Sequence, residues 1–235
     1  MHILSIDSAG TGCGACLMRD GEILALAEEK MERGQDRRLM PMIVDVMRRA
    51  GVDFPALDRI AVTKGPGSFT GIRIGLAAAR GIGLAADKPV IGIDRFSIYR
   101  AQIKTPDKNL LVVIDSKRAE LFCRFYPPPH ENPTEGRETN ERRIPRRSPQ
   151  DEGGFIPGEP SMLTAEEIGA FLAQNKNTIV AGDGVLAGLD VRKAVENEAV
   201  TAASLAARAG ITDPAFLPRP LYIRAPDVTV ARKTG

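Results

Sequence analysis

Histidine is almost missing from this sequence: only His2 and His130 occur in 235 residues. The first opens the chain and the second sits among prolines, which nearly excludes a Ser-His-Asp or Cys-His catalytic arrangement and a histidine-rich metal site. Cysteine is scarce too. The three thiols, Cys13, Cys16 and Cys123, are an odd number, which argues against a disulfide scaffold. Cys13-Gly14-Ala15-Cys16 has the C-x-x-C form, but it falls in or just before a strand, where residues three apart face opposite sides. Two packed thiols are expected there. No run is long and apolar enough to span a bilayer, since the best of them, residues 72–86, carries Arg73 and Arg80. The N-terminus enters an apolar run without a basic n-region or cleavage site, so a cytoplasmic location with no membrane contact is expected. A dominant charge is lacking as well. Net charge is +2, from 32 Lys+Arg against 30 Asp+Glu, whereas a protein that grips nucleic acid alone carries a larger basic excess. Nor does a G-x-x-x-x-G-K-[ST] phosphate loop occur.

What is present reads as α/β. Strands are predicted over 3–7, 15–19 and 22–28, the last two joined at Asp20-Gly21, a strong signal for a type I′ hairpin. A three-stranded opening is not a Rossmann one, which places a helix after the first strand. A helix is predicted over 39–50, with Pro41 tolerable only in its first turn and Gly51 as its stop. Further elements follow as strand 59–64, helix 71–86, strand 90–93 and helix 96–104. The pattern then restarts with strands 110–115 and 120–126, helix 164–174, strand 178–181 and helix 201–209. A strand ending in a carboxylate, then a turn and a second strand, occurs twice, at Asp7 and at Asp115. Two related α/β halves are expected, 1–105 and 106–235. Residues 127–160 hold eight prolines and Arg137, Arg142, Arg143, Arg146 and Arg147. That stretch reads as a solvated insert, with a basic arm touching nucleic-acid phosphate as the sharper alternative.

Three motifs bear on chemistry. Asp7-Ser8-Ala9-Gly10-Thr11-Gly12 is a carboxylate before a small-residue turn, which suits either a phosphate or magnesium site or a plain tight turn. Gly182-Asp183-Gly184 is a weaker signal of the same kind. Gly65-Pro66-Gly67-Ser68-Phe69-Thr70 leads into a helix whose polar side chains, Arg73 and Arg80, share one face. The rest of that helix is apolar and rich in glycine, which costs about 1 kcal/mol per residue against alanine inside a helix. Either the helix is wholly buried in its own domain or one face meets a partner helix, and the partner is favoured. Surplus methionines on helix 39–50, with Met42 expected on the side away from its core stripe, fit the same contact surface.

Gly65-Pro66-Gly67-Ser68-Phe69-Thr70-Gly71-Ile72-Arg73-Ile74-Gly75 resembles the signature segment of the TsaB family. Ile6-Asp7-Ser8, Arg38-Leu39-Met40-Pro41-Met42-Ile43, Asp115-Ser116-Lys117-Arg118-Ala119-Glu120-Leu121-Phe122 and Pro220-Leu221-Tyr222-Ile223-Arg224 are similar to further family segments in order. The resemblance implies an actin-like, ribonuclease-H-like (ASKHA) fold of two halves. It implies a subunit without a catalytic site, a paralogue of the TsaD transferase that makes N6-threonylcarbamoyladenosine at position 37 of tRNAs reading codons that begin with A. Such a chain pairs with TsaD, lets TsaE join, forms a homodimer when alone and meets tRNA through the complex. It binds no cofactor by itself, the ATP and magnesium being used by the complex. Arg38, Leu39, Met42, Val46, Arg49, Gly71, Ile72, Ile74, Gly75, Ala78, Ala79 and Ile82 form the candidate partner surface. Asp7, Ser8, Thr11 and Asp115 form a candidate vestigial phosphate site. Gln35-Asp36-Arg37 stands where many relatives carry His, a departure that argues further against a metal. The alternative is a stand-alone ASKHA-type ATPase or phosphotransferase, with Asp7 and Asp115 near magnesium and Gly182-Asp183-Gly184 near adenine.

Overall fold

The computed structural model describes residues 1–105, 107–128, 158–188, 190–193 and 197–223. Most of the expected insert, with its five arginines, lies outside the described residues. In chain order the elements are β1 (His2–Asp7), β2 (Gly12–Arg19), β3 (Glu22–Lys30), α1 (Gln35–Ala50), β4 (Arg59–Thr63), α2 (Phe69–Ala86), β5 (Val90–Ile93) and α3 (Arg95–Gln102). They continue as β6 (Asn109–Ile114), β7 (Glu120–Tyr126), β8 (Ser161–Thr164), α4 (Ala165–Gln174), β9 (Thr178–Gly182) and α5 (Glu198–Arg208).

The Asp20-Gly21 signal holds, since both residues have positive φ, 51° and 89°, as a type I′ turn requires. The first sheet has the order β3-β2-β1-β4-β5. β2 runs antiparallel to β1 and β3, while β1, β4 and β5 are mutually parallel. Alternation along the strands sends side chains to two faces. Leu4, Ile6, Ala15, Leu17, Ile60 and Val62 form a core with the inner residues of α1 and α2. Ile3, Cys16, Met18, Ala61 and Ile91 face the other way, onto Ala199, Val200, Ala202, Ala203 and Ala206 of α5. Cys13 belongs to the first core and Cys16 to the second, as residues three apart on a strand should.

The second sheet, β8-β7-β6-β9, repeats the order of β3-β2-β1-β4. Here too the middle strand is antiparallel to its hairpin partner and parallel to the strand after the helix. The fold is therefore the α/β, actin-like type with two related sheets. The chain divides less simply than expected. One compact unit takes Met1–Ala101 together with the chain from Val195 onward, and the other takes Gln102–Ala194. α5 thus covers the first sheet and does not stay with the half expected over 106–235.

Two local expectations change. α1 starts at Gln35, after Gly34 at φ 97°, so Pro41 lies inside the helix and not in its first turn. Met42, expected to face outward, is buried in the first core. Contrary to the expectation from residues 72–86 alone, α2 begins at Phe69 and reaches the length and composition of a membrane span, yet Gly71, Ile72, Gly75, Leu76, Ala79, Ile82 and Gly83 are buried. It is a core helix packed on its own sheet.

Candidate functional site at the ends of the parallel strands

Parallel strands β1, β4 and β5 end at Asp7, Thr63 and Ile93, and open α/β sheets present ligand sites at such carboxyl ends. Asp7 is half-buried there. Its Oδ1 accepts hydrogen bonds from Thr63 Oγ1 at 2.5 Å and from the Ala9 N–H at 3.1 Å. Removal from water and then the nearby Glu198 carboxylate push its pKa up to about 6, against the lowering effect of Arg95 and the hydrogen bonds from Thr63 and Ala9.

Arg95, the first residue of α3, is only 2% exposed. Its Nε and Nη2 each donate to a Glu198 carboxylate oxygen at 2.6 Å, a two-pronged ion pair. Nη1 donates to the Pro66 carbonyl at 3.3 Å and Nη2 to the Tyr99 hydroxyl at 3.3 Å. Glu198 opens α5, so this pair ties the returning helix to the glycine-rich turn.

That turn closes onto the β1–β2 turn. The Ser68 N–H donates to the Ala9 carbonyl at 2.8 Å, and Ser68 Oγ caps α2 by accepting from the Gly71 N–H at 3.1 Å. Ser8 Oγ donates to the Gly71 carbonyl at 2.8 Å. A β-carbon at Gly71 would collide with the Ser8 carbonyl oxygen, and one at Gly75 with Ser8 Oγ. These glycines let α2 approach the Ser8 turn of the same chain. The Ala9 amide, a natural anion donor in such a turn, is already bonded to Asp7.

The candidate residues belong to both units. Asp7 and Ser8 lie in this cluster. Thr11 is exposed, and its carbonyl accepts from the Met31 N–H at 3.1 Å. Asp115 belongs to the other unit, where it pairs with Lys117 at 2.7 Å and its N–H donates to Asp183 Oδ1 at 2.9 Å. Gly182 has φ 139°, and a β-carbon there would meet the Val113 carbonyl, so its glycine is accounted for by packing.

On the expected partner surface, Leu39, Met42, Val46, Gly71, Ile72, Gly75, Ala79 and Ile82 are buried in the chain's own core, and Ile74 and Ala78 are half-buried against it. Contacts within the chain account for Gly71, Gly75 and Gly83 of α2, whereas Gly81 is exposed with open space beside it. Arg38 is exposed and paired with Glu29, and Arg49 with Asp45 at 3.5 Å. The outward faces carry different residues. Met40 and Val44 of α1 are 41% and 50% exposed, and Leu84 of α2 is 87% exposed. Sequence reasoning missed Thr63, Arg95, Tyr99 and Glu198. The available signal was Arg95 itself, a charge set between an apolar strand and the apolar start of a helix.

The family model of TsaD, tRNA N6-adenosine threonylcarbamoyltransferase, matches residues 28–126. The tRNA threonylcarbamoyladenosine biosynthesis protein TsaB of Escherichia coli strain K12 is 34% identical over 128 residues, 54% of this chain and 55% of that one. Its namesake in Bacillus subtilis strain 168 is 26% identical over 126 residues, 54% of this chain and 55% of that one. The chain spans about half the length of the curated relatives it matches. YeaZ from Pseudomonas aeruginosa superposes with a TM-score of 0.61 at 21% identity, over 94% of this chain and 100% of that one, and so shares its fold. The chain is similar to TsaB proteins in sequence and to YeaZ in fold.

Proposed function

Starting from that kinship with the TsaB proteins, we propose that this chain is a non-catalytic subunit of the cytoplasmic assembly that forms N6-threonylcarbamoyladenosine at position 37 of tRNA. In this reading it pairs with a TsaD-type transferase, allows TsaE to join, self-associates when alone and leaves ATP and magnesium to the complex. The observation that carries the reading is the state of the turn where an actin-like enzyme would hold phosphate. Ser8 is wedged against Gly71 and Gly75, the Ala9 amide is bonded to Asp7, and Arg95 is engaged with Glu198 beneath. A stand-alone phosphotransferase would need those donors free.

The partner surface is re-drawn on exposed side chains. Met40 and Val44 on α1, with Leu84 on α2, present apolar area that nothing in the described residues covers. The test is light scattering of the chain with TsaD from the same organism, comparing the natural sequence with Met40→Glu/Val44→Glu. Loss of the heterodimer at unchanged thermal stability is the expected result. Pairing that survives both charges would remove this face from the reading.

A further inference from the structure

A cleft lies in the other unit, along the edge strand β9. It is an open groove of about 370 Å³, and Lys108, Lys176 and Arg192 line it with Asp190, Leu172 and Ile179. The volume falls in the range of small-molecule sites, roughly 300–1,000 Å³.

Three observations give the cleft its chemistry. First, all three cations are exposed, and among the described residues none of them makes an ion pair. Three unpaired cations facing one carboxylate leave an excess positive field in a recess. Second, Lys176 is not needed to cover the end of α4. Asn175 does that, its N–H donating to the Phe171 and Leu172 carbonyls at 3.1 and 3.2 Å and its Nδ2 to Phe171 at 2.9 Å. Third, β9 is the edge strand of its sheet. Among the described residues, the Arg192 backbone covers only part of that edge, accepting from the Gly182 N–H at 3.0 Å and donating to the Val180 carbonyl at 2.9 Å. Thr178 lines the cleft beside the uncovered part.

We propose that this cleft binds a phosphate ester, its phosphate held by Lys108, Lys176 and Arg192 and its carbon skeleton resting on Leu172 and Ile179. The phosphate can be a monoester of a free nucleotide or a diester within an RNA strand, since both present the same anion. The proposal is independent of pairing with TsaD and uses no residue of the Asp7 cluster.

The experiment titrates the full-length chain with AMP, by chemical-shift changes in a 15N-labelled sample, and with a fluorescein-labelled 12-nucleotide RNA, by anisotropy. Each probe is also titrated against Lys176→Glu/Arg192→Glu and against Lys108→Gln. The expected result is binding by the natural chain with shifts at residues 172–192, and affinity lowered about tenfold by the double reversal. For the RNA arm, the slope of log K against log salt should fall in magnitude by about one to two. Tighter AMP binding assigns the site to a free nucleotide, and tighter RNA binding assigns it to a strand. No binding of either probe by the natural chain overturns the proposal. So does equal binding by the reversed chain, or binding abolished by deleting residues 130–156 but untouched by the reversal.

Discussion

At the scale of single residues, Asp7 and Glu198 make the sharpest statements. The folded pKa of Asp7, about 6, lies above its ordinary 3.8, so the native protein holds that proton more tightly than the unfolded chain does. The stability it contributes is full below about pH 4 and is lost as pH rises through 6. Asp7→Asn should remove that decline, amounting to about 2–3 kcal/mol between pH 4 and pH 8. Urea unfolding across that range measures it, and an unchanged pH slope would mean the decline comes from elsewhere. Glu198→Gln should cost about 3–5 kcal/mol, because it leaves the Arg95 guanidinium buried without its counter-charge. It should also shift the Asp7 titration to lower pH, since a carboxylate that opposes Asp7 ionisation is gone, and carbon-detected NMR of the carboxyl group reads that directly. Neither partner of this pair was legible as such in the sequence. They are 103 positions apart, and no local pattern encodes a contact made by the returning chain.

At the scale of elements, legibility was much better. The hairpin of β2 and β3 follows from Asp20-Gly21, and α2 was visible as a nearly all-apolar helix with a glycine-rich start. What the pattern left open was what the apolar faces touch. Periodicity reports which side of a helix avoids water, and both an internal core and a partner satisfy that demand. Two glycines of α2 now separate by environment. Gly71→Ala should destabilise the protein by about 1–3 kcal/mol, because its β-carbon meets the Ser8 carbonyl and the turn must shift. Gly81 is exposed on the same helix, and a β-carbon added there would meet nothing within 4 Å. Gly81→Ala should therefore stabilise by about 0.5–1 kcal/mol. Chemical denaturation of the two variants side by side checks both signs, and equal effects would contradict the assignment of Gly71 to the Ser8 turn.

At the scale of the whole molecule, the repeated strand order was legible from two carboxylate-ended strands, whereas the division of the chain was not. A boundary near residue 105 follows from local pattern, but α5 crosses it by packing its alanines on the first sheet. Small-residue helices such as residues 198–208 carry no label for the sheet they will cover. A fragment of residues 1–104 should accordingly expose Ile3, Cys16, Met18, Ala61 and Ile91. It should aggregate or remain unfolded by circular dichroism, and adding a peptide of residues 197–223 should restore structure. A fragment that folds alone with native-like stability would show that α5 is dispensable to the first unit.

Because the first unit is completed by a helix encoded after the second, its folding order during synthesis is constrained. A ribosome adds about 5–20 residues per second, so the nascent sheet waits on the order of 5–20 s between the emergence of β5 and the arrival of α5. During that interval the middle sheet can close on itself while the earlier one keeps an apolar face open to chaperones. The organisation of the chain thus makes the arrival of α5, and not the first strands, the event that commits the first unit to its native state.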